Sequence, residues 1–159
     1  MKPTVYIERT VVSYFTAWPS RDVVTAGHQQ VTRDWWLHRL PQFEGTISEL
    51  VLEEAGRGDP QASTARLEAL AGFPILMPGR DAAAIADAMA DMGLVPREFI
   101  NDAIHLAIAA TNGIDFLATW NCKHLANALT RSRMAGLIET FGFECPVVCT
   151  PEELMEDVS

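Results

Sequence analysis

Residues 99–127, FINDAIHLAIAATNGIDFLATWNCKHLAN, decide how the whole chain is read. The stretch predicts a helix, a tight turn at Asn112-Gly113, a short strand over 116–120 and a second helix. Phe99, Ile100, Ala103, Ile104, Leu106, Ala107, Ile108 and Ala110 take up most of the first helix's circumference, the pattern of a helix buried on several sides. Asp102 and His105, three residues apart, share the polar stripe that is left. A carboxylate in such a helix has to be paired, capped or bound to a cation, because burying it bare is strongly unfavourable. The strand then delivers Asn121, Lys123 and His124 just beyond its C-terminal end.

Outward from this stretch, strands and helices alternate. Residues 3–7, PTVYI, are β-branched and aromatic and predict a buried strand ending at Glu8, with Thr10 as cap for the helical segment VVSYFTAW. A long helix is expected over 21–39 and a second strand over 43–47. Thr46 followed by Glu49 suggests a capping box for SELVLEEAGRG, closed by Gly56 and Gly58. Asp59-Pro60 is a helix start with a carboxylate cap and proline in first position. FPILM at 73–77 reads as a strand, Asp81 as the cap of AAAIADAMADM, 132–141 as a helix and 146–149 as the last strand. Thr150-Pro151-Glu152-Glu153 is a complete capping box. The strand runs are apolar rather than alternating, which predicts a single three-layer α/β/α domain over 1–159, built on a short parallel sheet covered on both faces.

Composition narrows the function. With 159 residues, 48% of them hydrophobic, the chain can bury one substantial core. A net charge of −9 argues against holding nucleic acid by bulk attraction, but it permits an acidic metal site and suits a basic protein partner. Cys122, Cys145 and Cys149 form neither an even framework nor a zinc spacing, so reduced thiols are expected. Lys2, Glu8 and Arg9 interrupt any leader-like run at the start, and no long uncharged apolar stretch follows. A cytoplasmic location without membrane contact is the expectation.

In an open α/β sheet, ligands gather outside the carboxyl ends of the strands, near the reversal in strand order. Glu8 and Asn121 fall at such ends, Asp102 lies near the start of the buried helix, and Glu53-Glu54 follow the second strand. Asp115 lies at the opposite end of its strand and is left out. Each residue has a plain structural alternative. Asp102 could cap a helix starting at Ala103, Glu8 could be solvated, Glu53-Glu54 could be an exposed face, and His105 and His124 could be hydrogen-bonded structural groups. Their agreement in place favours a site. There is no GxGxxG after a strand, and Gly56-Arg57-Gly58 follows a helix rather than forming a phosphate loop. Glu8-Arg9 and Thr150-Pro151 lack the acid pair and lysine of a receiver domain, and no nucleophile triad is readable. A metal-free histidine ribonuclease would leave the carboxylates unexplained.

VYIERTVVSY, SELVLEEAGRGDP, NDAIHLAIAATNGIDFLATWNCKHLAN and the TPEEL tail together resemble the PIN domain, specifically the VapC-like toxins of type II toxin–antitoxin systems, nearly end to end. The resemblance implies a Mg²⁺- or Mn²⁺-dependent endoribonuclease that leaves a 5′-phosphate and a 3′-hydroxyl. It also implies a basic antitoxin partner and a homodimer, for which Val11, Val12, Tyr14, Phe15 and Trp18 offer apolar area. Matched position by position, it makes Glu8, Glu54 and Asp102 the metal ligands and Asn121 the residue that places the attacking water. Arg9, Lys123 and His124 are the candidates for RNA phosphates. Glu8 stands where the family usually has Asp, and Arg9 where a small hydroxyl residue is common. Those departures leave open a PIN-fold module that binds RNA or protein without turnover. An RNA-processing PIN nuclease without an antitoxin is also left open.

Overall fold

A computed structural model describes residues 1–156. Five strands, β1 (Thr4–Ile7), β2 (Glu44–Ser48), β3 (Ile75–Leu76), β4 (Phe116–Ala118) and β5 (Val147–Cys149), pair in parallel in the order β3-β2-β1-β4-β5. Val5, Tyr6 and Ile7 in the central strand are all fully buried, although neighbours along a strand point to opposite faces. Both faces are therefore covered, which is why the run is apolar throughout. Among the described residues seven helices flank the sheet: α1 (Arg9–Thr16), α2 (Val23–Asp34), α3 (Glu49–Ala55), α4 (Pro60–Leu70), α5 (Ala82–Asp91), α6 (Ile100–Thr111) and α7 (Arg131–Thr140). By mutual packing, α1 goes with α2, α3 and α4, and α5 with α6 and α7. The result is the single three-layer α/β/α domain that the alternation of elements predicts.

The chain steps outward from β1 to β2 and β3, then crosses back to lay β4 and β5 on the other side of β1. The reversal in strand order thus lies between β1 and β4. Asp115, ahead of β4, stays at the far end, where its carboxylate accepts from the Thr4 N–H at 2.9 Å.

Local chemistry shifts several boundaries. α1 begins at Arg9, with Glu8 as its cap, so Thr10 lies inside the helix and donates its N–H to Glu8 rather than capping. The cap of α3 is Ser48, whose Oγ accepts from Val51 N at 3.3 Å. Thr46 cannot serve there, because it is still paired with Tyr6 in the sheet and donates its hydroxyl to the Val5 carbonyl. The expected 21–39 helix is α2 followed by a wider π-helical turn, Trp35–Arg39. Prolines at 74 and 78 confine β3 to two residues. Thr150 and Glu153 do exchange capping hydrogen bonds, N to Oε1 at 3.1 Å and N to Oγ1 at 3.4 Å, ahead of a single 3-10 turn, Glu152–Leu154.

Around the deciding stretch one alternative falls and two expectations are corrected. α6 starts at Ile100, so Asp102 is inside its first turn and is not the cap of a helix starting at Ala103. Phe99 lies outside the helix and is 47% exposed rather than part of its buried surface. No helix follows β4 directly. The Asn121 carbonyl takes both the Leu125 and Ala126 N–H groups, at 3.1 and 2.9 Å, and residues 121–130 remain a series of turns before α7.

Of the apolar residues at the first helix, Val11 and Val12 belong to the core. Tyr14 stacks on Trp120 and Phe15 on Trp36, which leaves Trp18 exposed. No helix of the described residues is long and apolar enough to cross a membrane. The three cysteines are unpaired, and burial pushes the Cys149 thiol up to about 12.

Candidate metal centre and cleft

The reversal point between β1 and β4 is occupied by a carboxylate. Glu8 leaves the end of β1 with only 2% of its surface exposed. Its Oε1 accepts from Thr10 N at 3.1 Å, from Thr119 Oγ1 at 2.7 Å, and from the Thr10 hydroxyl by a short contact. Three donors on one oxygen offset the loss of water, and they fix the carboxylate on the rim of the sheet. Thr119 in turn accepts the Asn121 N–H at 2.9 Å, and Thr10 Oγ1 accepts the Trp120 N–H at 2.8 Å. Trp120 is itself anchored: His28 stacks on it at 4.2 Å, and its indole N–H donates to Thr32 at 2.7 Å. The loop carrying Asn121 is thereby tied to both β1 and α2.

Glu54 reaches the same place from α3. Its Oε1 meets His105 Nε2, on α6, at 2.6 Å. Burial pushes the Glu54 pKa up. The hydrogen bond and charge of His105, with Arg9 and Arg57 nearby, outweigh it and hold the group below its ordinary value. Glu54 is therefore a carboxylate, and Nε2 carries the proton that bonds it. A neutral imidazole then accepts at Nδ1 from the Tyr6 hydroxyl at 2.6 Å, with Tyr6 accepting from Ser48 at 2.7 Å, whereas the charged imidazolium donates from both nitrogens. Burial, with the charges of Glu8 and Glu54, raises the Tyr6 pKa against the opposing Ser48 hydrogen bond, which keeps the phenol protonated as this chain of donors requires.

Glu8, Glu54 and His105 each offer a ligand atom within 4.8 Å of the others, and this buried group could hold a metal ion. His105 would join such a set as a ligand only by giving up its Nε2 proton and its hydrogen bond to Glu54. The resemblance implies Asp102, rather than His105, beside Glu8 and Glu54. Asp102 is outside the tight group but lines the same cleft, of about 400 Å³, together with Arg9, Glu54, Asn121, Lys123 and His124. Its Oδ2 lies 3.2 Å from His124 Nδ1. Burial, and then the charge of Glu8, raise the Asp102 pKa, against a hydrogen bond from Asn121 and the pull of His124 and His105. Mutual repulsion of this kind is relieved by a cation.

The remaining candidates are placed as follows. Asn121 contacts Asp102 and accepts the His124 N–H at 3.1 Å, so its amide is a strut between the loop and α6. Arg9 and Lys123 are exposed on the cleft wall, whereas His124 is buried and braces Asp102. Glu53 is exposed and lies on a different surface, beside Leu50 and Met77.

Sequence reasoning missed Thr10 and Thr119 as partners of Glu8 and Tyr6 as a partner of His105, and assigned His105 no part in the cluster. It also missed Arg57, which lines an adjoining cleft with Arg9, Ser13, Glu54 and Arg66. Hydroxyls flanking Glu8 at Thr10 and at the end of the Phe116 strand were the available signal. No protein-family model matches the chain, and neither does any curated protein or solved structure.

Proposed function

We propose that the protein is a metal-dependent endoribonuclease of the PIN type, acting as the toxin of a type II toxin–antitoxin pair. The observation that carries the reading is the meeting of Glu8 and Glu54, from separate elements, at the strand-order reversal, with Glu54 also lining the cleft of Asp102. Glu8 and Glu54 would hold Mg²⁺ or Mn²⁺, with His105 orienting Glu54 and Asp102 reaching the ion directly or through water. Such an ion lowers the pKa of a bound water and neutralises charge on the scissile phosphate. Asn121 would hold Asp102 and the water in register, and Arg9, Arg57 and Lys123 would meet flanking phosphates. Because the chain carries −9 overall, these few cations steer RNA only locally. The same acidity suits a basic antitoxin whose arginine could enter the carboxylate cluster.

Cleavage of a single-stranded RNA, followed with Mn²⁺, with chelator, and in Glu54→Gln and Asp102→Asn, tests this. Metal-dependent cutting by the parent, lost in both variants, is expected. Full activity in chelator or in either variant would overturn it. Co-expression with the neighbouring small reading frame tests the antitoxin, and a basic protein that co-purifies and stops cleavage is expected.

A second reading rests on a specific observation: Glu8 Oε1 and Glu54 Oε1 find their partners within the protein, in Thr119 and His105. A module that binds RNA or protein without turnover needs no more than that. It predicts RNA binding with no cutting under Mn²⁺, and cutting gained in Glu8→Asp.

A further inference from the structure

The residue left unexplained by the cluster is Phe99. It stands at the mouth of the cleft that holds Glu54, Asp102 and Asn121, 47% exposed, with φ −113° and ψ 28° just before α6 begins. Isolated exposed apolar side chains are ordinary, so exposure alone says nothing. What distinguishes Phe99 is its support. Its ring lies against His124 with centroids 4.7 Å apart and planes at 39°, and His124 is held by Asp102 at 3.2 Å and by Asn121 at 3.1 Å. The ring is thus braced by residues that line the cleft together with Glu54, yet it is not covered.

A hydrated divalent ion takes oxygen ligands and has no use for an aromatic ring in the wall of its cleft. A ligand that carries both an anion and a flat π-face does, and a nucleotide is that ligand. A base inside a duplex has both faces covered by its neighbours, so only an unpaired base can offer one. Resting on the nuclease reading for the identity of the ligand, we infer that Phe99 stacks an unpaired nucleobase beside the bond to be cut. It is a positioning residue that restricts the substrate to single-stranded RNA.

Phe99→Leu keeps apolar volume and removes the ring. On a single-stranded oligonucleotide it should raise KM about tenfold and leave kcat within about twofold, the signature of lost binding shared by ground and transition states. Phe99→Trp should restore KM. With Ca²⁺ replacing Mn²⁺, its emission, corrected for the parent's tryptophans, should fall when single-stranded RNA is added and stay unchanged with a blunt RNA duplex. A KM within about twofold of the parent in Phe99→Leu would overturn the inference, as would an unmoved Phe99→Trp signal or equal quenching by duplex. If the parent cuts no RNA under Mn²⁺, the nuclease reading falls. The fluorescence arm still decides whether Phe99 meets an unpaired base.

Discussion

Removing the imidazole of His105 tests the assignment of its protons. In the metal-free protein, Nε2–H donates to a Glu54 carboxylate whose side chain is only 13% exposed, at 2.6 Å. A hydrogen bond to a charged group contributes about 1.5–3 kcal/mol, and nearby Arg9 and Arg57 place this one toward the lower end of that range. His105→Ala also strands a buried charge and opens a void, so its total loss should be about 3–5 kcal/mol. Tyr6 keeps Ser48 as a partner, which limits the damage. A double-mutant cycle with Glu54→Ala isolates the pair, and its coupling should come to about 1.5–2 kcal/mol. Urea unfolding in chelator at pH 7, read by tryptophan fluorescence and far-UV circular dichroism, supplies all four stabilities.

The pH dependence follows from the same contact. The folded pKa of Glu54 lies below its ordinary 4.5, so the unfolded chain takes up the proton first. The stabilisation is complete above the unfolded value and is lost as pH falls through the folded one. His105→Ala leaves burial, which raises the pKa, with less to oppose it, and should move acid unfolding to higher pH. A coupling below about 0.5 kcal/mol, or an acid limb that does not move, would refute the proton assignment and the role given to His105.

Three further outcomes are expected. Asp102 has a raised pKa, so its charged form is penalised in the folded state, fully above the folded value and not at all below the ordinary 3.8. Asp102→Asn should therefore stabilise the metal-free protein by about 0.5–1 kcal/mol at pH 7 in urea titrations while abolishing cleavage. Thr119→Val removes a donor to Glu8 and the acceptor of the Asn121 N–H, and urea unfolding should show a loss of about 1–3 kcal/mol. Mn²⁺ at about a hundred times its Kd should stabilise the parent by about 2.7 kcal/mol in a thermal-shift assay, and Glu8→Gln should remove most of that gain.

Sequence alone went far where the signal is local. Asp59-Pro60 and Thr150-Glu153 name their caps within four residues, and the apolar run at Val5-Tyr6-Ile7 is enough to predict a strand buried on both faces. It failed where a residue's partner lies far along the chain. Nothing near His105 shows that its two nitrogens will be taken by Tyr6 and Glu54, and nothing near Thr119 points to Glu8. Thr46 and Ser48 are equally good caps by type, and only the pairing of Thr46 with Tyr6 decides between them. Residues 121–130 carry helix-compatible letters, yet Asn121 closes a turn that is not continued.

Glu8 and Arg9, the two departures from the family pattern the chain resembles, act on the same cluster and in the same direction. The longer arm of Glu8 lets its carboxylate turn back to cap α1 while it takes Thr119, so its position is set before any cation arrives. Arg9 lies between the two clefts that meet at Glu54, and its charge helps to hold that carboxylate ionised. Both features lower the repulsion among the acids in the absence of metal. A cation entering here has less repulsion to relieve than in an unpaired acid cluster, and it must compete with Thr10, Thr119 and His105 for oxygens already bonded. Binding should therefore be weak until a phosphate oxygen completes the coordination, which suits an ion that keeps its waters and shares ligands with its substrate.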